Sequence, residues 1–179
     1  MNDKLYALFG IVGPLVAYIS IGVSIVFSPW FSWGKNALSD LGHSVNSQVA
    51  PIFNLGLLLA GFLIVVYAIS AFRKHAKYTS IFLVASGFML QLVATFDEAY
   101  GSLHFVISLL FFVSIGFSSI VYALEKKSYL AASMFIISFS SWILYGLKTY
   151  SAGVAVPEMI SSVAVVLWII VSAVKILLN

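Results

Sequence analysis

The sequence contains no cysteine, and this absence removes several kinds of chemistry at once. Disulfide bonds, thiolate metal ligands and cysteine nucleophiles are all excluded. Phosphate-binding loops, dinucleotide fingerprints and the serine nucleophile elbow are missing too, so the cofactor chemistry of soluble enzymes is not indicated. Catalysis or binding must therefore rely on a small set of carboxylates, histidines, amides and hydroxyls.

Charged residues are also scarce, at 8% of the chain, whereas hydrophobic residues make up 62%. Soluble domains carry about a quarter charged residues, and a domain of 179 residues leaves too much surface in water to hide so many apolar side chains. The net charge of +3 comes from basic residues in short loops. Because no basic stripe exists, a nucleic-acid partner is not expected. The composition indicates an integral membrane protein.

The charged residues divide the chain into six apolar runs of roughly 20 residues, the length that a helix needs to cross a hydrocarbon core about 30 Å thick. Helices satisfy their own backbone groups in lipid, and the runs lack the alternation of barrel strands. We therefore predict an all-α, six-helix transmembrane bundle whose consecutive helices are antiparallel neighbours. The single domain covers residues 1–179, with spans at about 5–28, 50–72, 78–97, 102–124, 129–149 and 156–177.

The basic residues predict an orientation for this bundle. If the N-terminus lies inside, Lys35 and Lys148 fall outside, and the other seven Lys and Arg fall inside. This bias in short loops follows the positive-inside rule. We therefore predict a multi-pass protein of the cell membrane with both termini cytoplasmic.

The longest loop, on the predicted outer side, carries regularly spaced polar residues. Asn36, Asp40, His43 and Ser47 are separated by helical intervals and would form one stripe on a helix. Segment 36–47 is therefore predicted to be a short amphipathic helix that lies on the outer surface or folds into the bundle.

A second polar element, also on the predicted outer side, joins the third and fourth spans. Asp97 ends the third span, Glu98 follows, and His104 lies about one turn inside the fourth. A histidine at that depth should face protein or a watery cavity, because an unpaired polar group in lipid is costly. Its expected partner is Asp97 or Asp40.

Other residues have more ordinary predicted roles. Glu158 is expected to stabilise the N-terminus of the sixth helix, where the helix dipole is positive. His75 is expected to be solvated in a loop on the predicted cytoplasmic side. Gly56 and Ala60 are expected to permit close helix packing.

A family resemblance follows from these motifs. The sequence Asn-Ala-Leu-Ser-Asp-Leu-Gly-His at 36–43, the acidic residue at the end of the third span and the early histidine of the fourth resemble the prokaryotic membrane family called domain of unknown function 998. Where that family's pattern is close to Phe-Pro-x-Asp, this chain has Thr-Phe-Asp-Glu at 95–98. The resemblance implies a six-helix bundle and no particular activity. The chain is more faintly similar to the damage-regulated autophagy modulator family.

Several functions remain open at this point. The polar residues of the predicted outer face could bind a lipid head group, a small solute or a partner subunit, including a second copy of the chain. Alternatively His43, His104 and Asp97 could hold zinc in a hydrolase acting at the outer leaflet. Proton or ion transport is a third possibility, although it needs ionisable groups at several depths. Haem ligation by two histidines is the least favoured.

Overall fold

The computed structural model describes residues 3–178, and no strand occurs among them. Six of its helices are long and apolar enough to cross a membrane, which confirms the predicted all-α, six-span architecture. The helix ends differ from the predicted boundaries by a few residues. The helices are α1 Asp3–Val26, α2 Ala50–His75, α3 Lys77–Thr95, α4 Ser102–Lys126, α5 Tyr129–Gly146 and α6 Ala155–Leu178.

The six helices form a closed ring. Each helix packs on the next one along the chain, and α6 returns to pack against α1. Across the ring, the backbones of α4 and α6 come close at few positions, and side chains make the contact: the Trp168 indole N–H donates to the Ser119 hydroxyl at 3.0 Å, and its ring stacks on Tyr122. We call the end of the bundle formed by residues 27–49, 96–101 and 147–154 the loop face, and the other end the basic face. The ring leaves space inside the bundle and a gap beside α4.

Glycines allow α2 and α3 to cross with their backbones close together. A Cβ atom on Gly61 would lie 2.5 Å from the carbonyl oxygen of Gly87, and a Cβ on Gly87 would lie 2.8 Å from that of Gly61. Gly56 lies directly against Ser20 of α1, as expected of a small residue at a helix interface. Backbones approach this closely only where side chains are absent, so these glycines fix how α1, α2 and α3 meet.

The basic face is held by side chains that cap helix ends. Glu125, near the end of α4, accepts hydrogen bonds from the Thr79 amide at 2.9 Å and the Thr79 hydroxyl at 2.7 Å. These contacts satisfy groups that the first turn of α3 leaves free. His75 is half-buried at the end of α2, with Nε2 3.4 Å from the Tyr122 hydroxyl. The prediction of a solvated loop histidine is therefore wrong, because α2 continues to this residue through a π-helical turn at Ala68–Phe72.

Candidate functional site

The segment between α1 and α2 is mostly turns, and its helical part is a single 3₁₀ helix, Leu38–Gly42. The short helix predicted over 36–47 is therefore present, but the predicted extent is wrong, because the helix covers only five residues and has 3₁₀ geometry. Gly42 lies so close to Phe53 that a Cβ atom there would approach its ring to 2.8 Å. His43 then adopts an extended backbone that ends the helix. Leu38 and Leu41 are buried, so this short helix covers the loop face of the bundle.

Asn36 and Asp40 hold the turn that precedes this 3₁₀ helix. The Asn36 amide donates to Asp40 Oδ2 at 2.7 Å, and its own oxygen accepts the Ser32 N–H at 2.9 Å. Asp40 Oδ2 also accepts the Ala37 N–H at 3.1 Å. Both predicted site residues are thus engaged in shaping the loop.

Glu158 joins the 3₁₀ helix to α6. Its Oε2 atom accepts the Leu38 N–H at 2.7 Å across 120 residues of chain. Glu158 does lie in the first turn of α6, as predicted. However, the hydrogen bond that the structure shows stabilises the N-terminus of the 3₁₀ helix from another element.

The backbone beside Glu158 reinforces this connection. Gly153 N donates to Trp33 O at 2.8 Å, and Ala155 N donates to Asn36 O at 2.9 Å. Gly153 fits against Asn36 so tightly that an added Cβ atom would overlap the Asn36 backbone and lie 2.8 Å from the carbonyl carbon of Lys35. The long loop is therefore fastened to the start of α6 through main-chain contacts.

His104 is the most buried ionisable residue of the predicted cluster, with 4% of its surface exposed. Its Nδ1 lies 2.8 Å from Phe96 O, and its Nε2 lies 3.0 Å from Glu98 Oε2 and 3.2 Å from the Ser108 hydroxyl. A ring nitrogen must carry a proton to bond a carbonyl oxygen or a carboxylate. The contacts of His104 with Phe96 and Glu98 therefore suit an imidazolium–carboxylate pair.

The partner predicted for His104, Asp97 or Asp40, is wrong. Asp97 Oδ1 accepts the Ala99 N–H at 2.8 Å and the Ser44 hydroxyl at 3.2 Å. It therefore caps the short 3₁₀ helix Glu98–Tyr100. Because α3 ends at Thr95, two residues before the predicted end, the turn brings Glu98 rather than Asp97 to the histidine.

The His104 hydrogen bond holds the pKa of Glu98 below its ordinary value of 4.5, and a hydrogen bond with Ser39 acts in the same direction. The stability that this pairing contributes is present above pH 4.5 and is lost as pH falls through the lowered pKa. We expect thermal unfolding in detergent to show a drop in stability over that acidic range. Glu98→Gln should flatten the drop, and an unchanged profile in this variant would contradict the pairing.

The predicted metal set His43, His104 and Asp97 is not brought together as a metal site. Among residues 3–178, no group of three or more His, Asp or Glu side chains is placed to hold a metal ion. His43 is instead engaged locally, since Nδ1 accepts the Val45 N–H at 3.3 Å and Nε2 lies 2.9 Å from the Asn46 amide nitrogen. The last predicted residue of the stripe, Ser47, is buried and donates to Leu41 O at 2.7 Å.

A cavity of about 140 Å³ lies inside the ring, beneath the 3₁₀ helix. Leu38 and Ser39 line its loop-face end, and its remaining wall is almost entirely apolar. The polar exceptions besides Ser39 are Tyr18, Ser86, Ser108, Glu158 and Ser162. Of these, Tyr18 donates to Ser162 at 3.2 Å, so its hydroxyl is satisfied.

A larger groove of about 620 Å³ lies between α4, α5 and α6, where few backbone positions of α4 and α6 come close. Its walls are apolar, with many aromatic rings, and five of its residues also line the inner cavity. These shared residues are Ser108, Phe112, Ile115, Glu158 and Val165. The groove and the cavity therefore lie next to each other across a shared wall that includes one carboxylate and one hydroxyl close to the loop face.

Sequence reasoning missed two residues of this region, Ser108 and Ser161. Both line the groove. Ser108 lies four residues after His104 and Ser161 three residues after Glu158, so each shares a helix face with an ionisable residue. This helical spacing from an ionisable residue is the sequence feature that could have identified Ser108 and Ser161.

Comparison with known proteins gives a family and no characterised relative. The sequence model of a family described as protein of unknown function (DUF998) matches residues 11–175. No curated protein and no solved structure matches the chain.

Proposed function

We propose, given that the chain belongs to the DUF998 family of proteins of unknown function, that it binds a lipid of the outer leaflet in the groove between α4, α5 and α6. The observation that carries this proposal is an apolar groove whose loop-face end is lined by Ser108 and Glu158. An amphiphile needs an apolar channel with a polar group at one end, and this groove supplies both.

The size and position of the groove support the proposal. Its volume of about 620 Å³ lies within the range of ordinary ligand sites, about 300–1,000 Å³. It extends along α4 from Phe105 to Ile120, which is about 22 Å at 1.5 Å per residue. This covers most of a hydrocarbon core about 30 Å thick. A chain of lipid can therefore lie along the groove with its polar end at the loop face, the predicted outer side.

The groove is also open toward the bilayer. Phe105, Leu109 and Phe139 line it and are each more than half exposed, at 67%, 52% and 56%. In α5, Ala131 and Ser141 are the only described residues that are buried. A lipid can consequently enter from the side, without passing through the loop face.

The other functions have less support from the geometry. A zinc hydrolase needs at least three protein ligands around the metal, and the part of the chain that the structure describes offers no such group. A transporter needs ionisable groups at several depths, whereas the ionisable residues of α4 and α6 lie near the helix ends. A binding role needs neither arrangement.

Gly116 provides a test of lipid binding. It lines the groove, and a Cβ atom there would meet only Phe135, at 3.7 Å. Gly116→Phe should therefore fill the groove without disturbing the backbone. We expect native mass spectrometry of the protein, extracted in mild detergent, to show one retained lipid per chain in the wild type. The variant should retain at least about tenfold less, the equivalent of about 1.4 kcal/mol in affinity.

The matched control is Gly22→Phe, because Gly22 is exposed on α1 and has no atom within 4 Å of an added Cβ. This variant should retain lipid as the wild type does. Equal lipid retention in both phenylalanine variants would refute the proposal. A groove occupied by a second copy of the chain, detected as a dimer that Gly116→Phe dissociates, would also overturn it.

A further inference from the structure

Ser161 is a buried hydroxyl without a hydrogen-bond partner in the part of the chain that the structure describes. It is 2% exposed and lines the groove one turn after Glu158 on α6. An unsatisfied buried hydroxyl is destabilising, and serines in helices usually relieve this by bonding a carbonyl of the preceding turn. Ser162, the next residue, does so with Met159. The Ser161 hydroxyl therefore has unused hydrogen-bonding capacity at the wall of the groove.

The charge of this region is acidic. None of the residues that line the groove or the cavity is Lys or Arg, while Glu158 lines both. The facing histidine, His104, is already paired with Glu98. Asp40 and Asp97 are further acidic groups at the loop face, where His43 is half-buried, and the two lysines of this face, Lys35 and Lys148, are exposed and line neither the groove nor the cavity. A phosphate or carboxylate would be buried here without a counter-charge, which is costly, whereas an ammonium would meet Glu158.

Aromatic rings lie at the same end of the groove. Trp142 and Tyr145, near the loop-face end of α5, line the same groove as Glu158 and stand edge to face with ring centroids 6.4 Å apart. Indole and phenol faces attract cations through the ring quadrupole. The carboxylate, the free hydroxyl and the aromatic faces therefore favour the same kind of head group.

We propose that the lipid held in this groove is a long-chain amine, in which the ammonium group is attached to the apolar chain without an intervening phosphate. The ammonium donates to the Glu158 carboxylate and the Ser161 hydroxyl beside Trp142, and the chain lies between α4, α5 and α6. This inference rests on the proposed function and adds the class of ligand to it.

The experiment compares three ligands that differ only in the head group: hexadecylamine, hexadecanol and hexadecanoate. Binding to the purified full chain in nanodiscs is measured at neutral pH, where an alkyl amine is charged. We expect the amine to bind most tightly and hexadecanoate most weakly. Glu158→Gln keeps an acceptor for the Leu38 N–H and removes the charge. It should weaken amine binding about tenfold, because charge-assisted hydrogen bonds are the stronger ones, and leave hexadecanol binding unchanged.

Ser161→Ala provides a second measurement, and Ser24→Ala is its matched control. Ser24 is also a buried serine without a partner among the described residues, and it lines neither cavity nor groove. Each alanine removes an unsatisfied hydroxyl, so neither should lower the thermal stability of the free protein. Ser161→Ala alone should weaken amine binding severalfold. Equal effects of the two variants on binding would overturn the role of Ser161.

The outcomes distinguish failure of the amine assignment from failure of lipid binding in the groove. If hexadecanol binds as tightly as the amine and Glu158→Gln changes neither, the amine assignment fails. Lipid binding still stands in that case if Gly116→Phe abolishes hexadecanol binding. If Gly116→Phe leaves all three ligands bound, both proposals fail. A phosphatidylethanolamine that competes as well as hexadecylamine would also overturn the assignment, because its amine lies beyond a phosphate.

Discussion

Gly61→Ala should destabilise the protein by about 1–3 kcal/mol, the usual cost of inserting a methyl group into a close-packed interface. The new Cβ atom would lie 2.5 Å from the Gly87 carbonyl oxygen and 3.2 Å from the Gln91 backbone nitrogen. Both are main-chain atoms of α3, so relief requires α2 and α3 to move apart. Unfolding by titration with SDS in mixed micelles measures the change in free energy of unfolding.

Gly22→Ala is the control for this prediction, and its expected effect has the opposite sign. An added Cβ at this exposed helical position has no atom within 4 Å. Alanine is favoured over glycine within a helix by about 1 kcal/mol, so this variant should be slightly more stable than the wild type. If the two alanine variants shift the titration midpoint equally, the contact between α2 and α3 is looser than the structure shows.

Gly153→Ala should release the long loop from α6. Its Cβ atom would overlap the Asn36 backbone, and neither backbone can yield while Gly153 N bonds Trp33 O and Ala155 N bonds Asn36 O. Each backbone hydrogen bond contributes about 0.5–1.5 kcal/mol net. Hydrogen exchange at the amides of residues 38, 153 and 155 should accelerate at least about tenfold, equivalent to 1.4 kcal/mol of lost protection.

The matched control for the loop is Gly146→Ala at the end of α5, where an added Cβ also has no atom within 4 Å. Its amide exchange at residues 38, 153 and 155 should equal that of the wild type. If Gly153→Ala leaves those three amides protected, the long loop is held by contacts other than the backbone contacts of Gly153 and Ala155 with the loop. Lipid retention measured on the same samples then shows whether lipid binding in the groove requires the long loop to cover the loop face.

The six spans could be predicted from the sequence because a few charged residues determine where a membrane helix can begin and end. In lipid, a charged side chain within a span is expensive, so the charged residues mark where each helix must end. Helix ends were less predictable, since polar residues such as Asp97 can either end a helix or begin the next turn. One such displacement changed the partner of His104 from Asp97 to Glu98.

The candidate site was harder to predict, for physical reasons that particular residues show. Helical spacing placed Asn36, Asp40 and His43 on one face, but the Asn36 and Asp40 side chains accept hydrogen bonds from backbone N–H groups of the loop and stabilise a 3₁₀ turn instead. The groove lies between three helices, α4, α5 and α6, that are distant from one another in the sequence or joined only by loops. No local pattern encodes that arrangement, so Ser161 looked like any small residue of a membrane helix.

The closed order of the helices has a consequence for biosynthesis. The side chains proposed to meet the ligand head group, Glu158 and Ser161, belong to the last of the six helices. While the nascent chain has inserted only its first five helices, α1 lacks its neighbour α6, and the groove has no third wall. The proposed binding site is consequently completed only when α6 inserts, and a chain terminated after α5 lacks Glu158, the carboxylate that lines the groove.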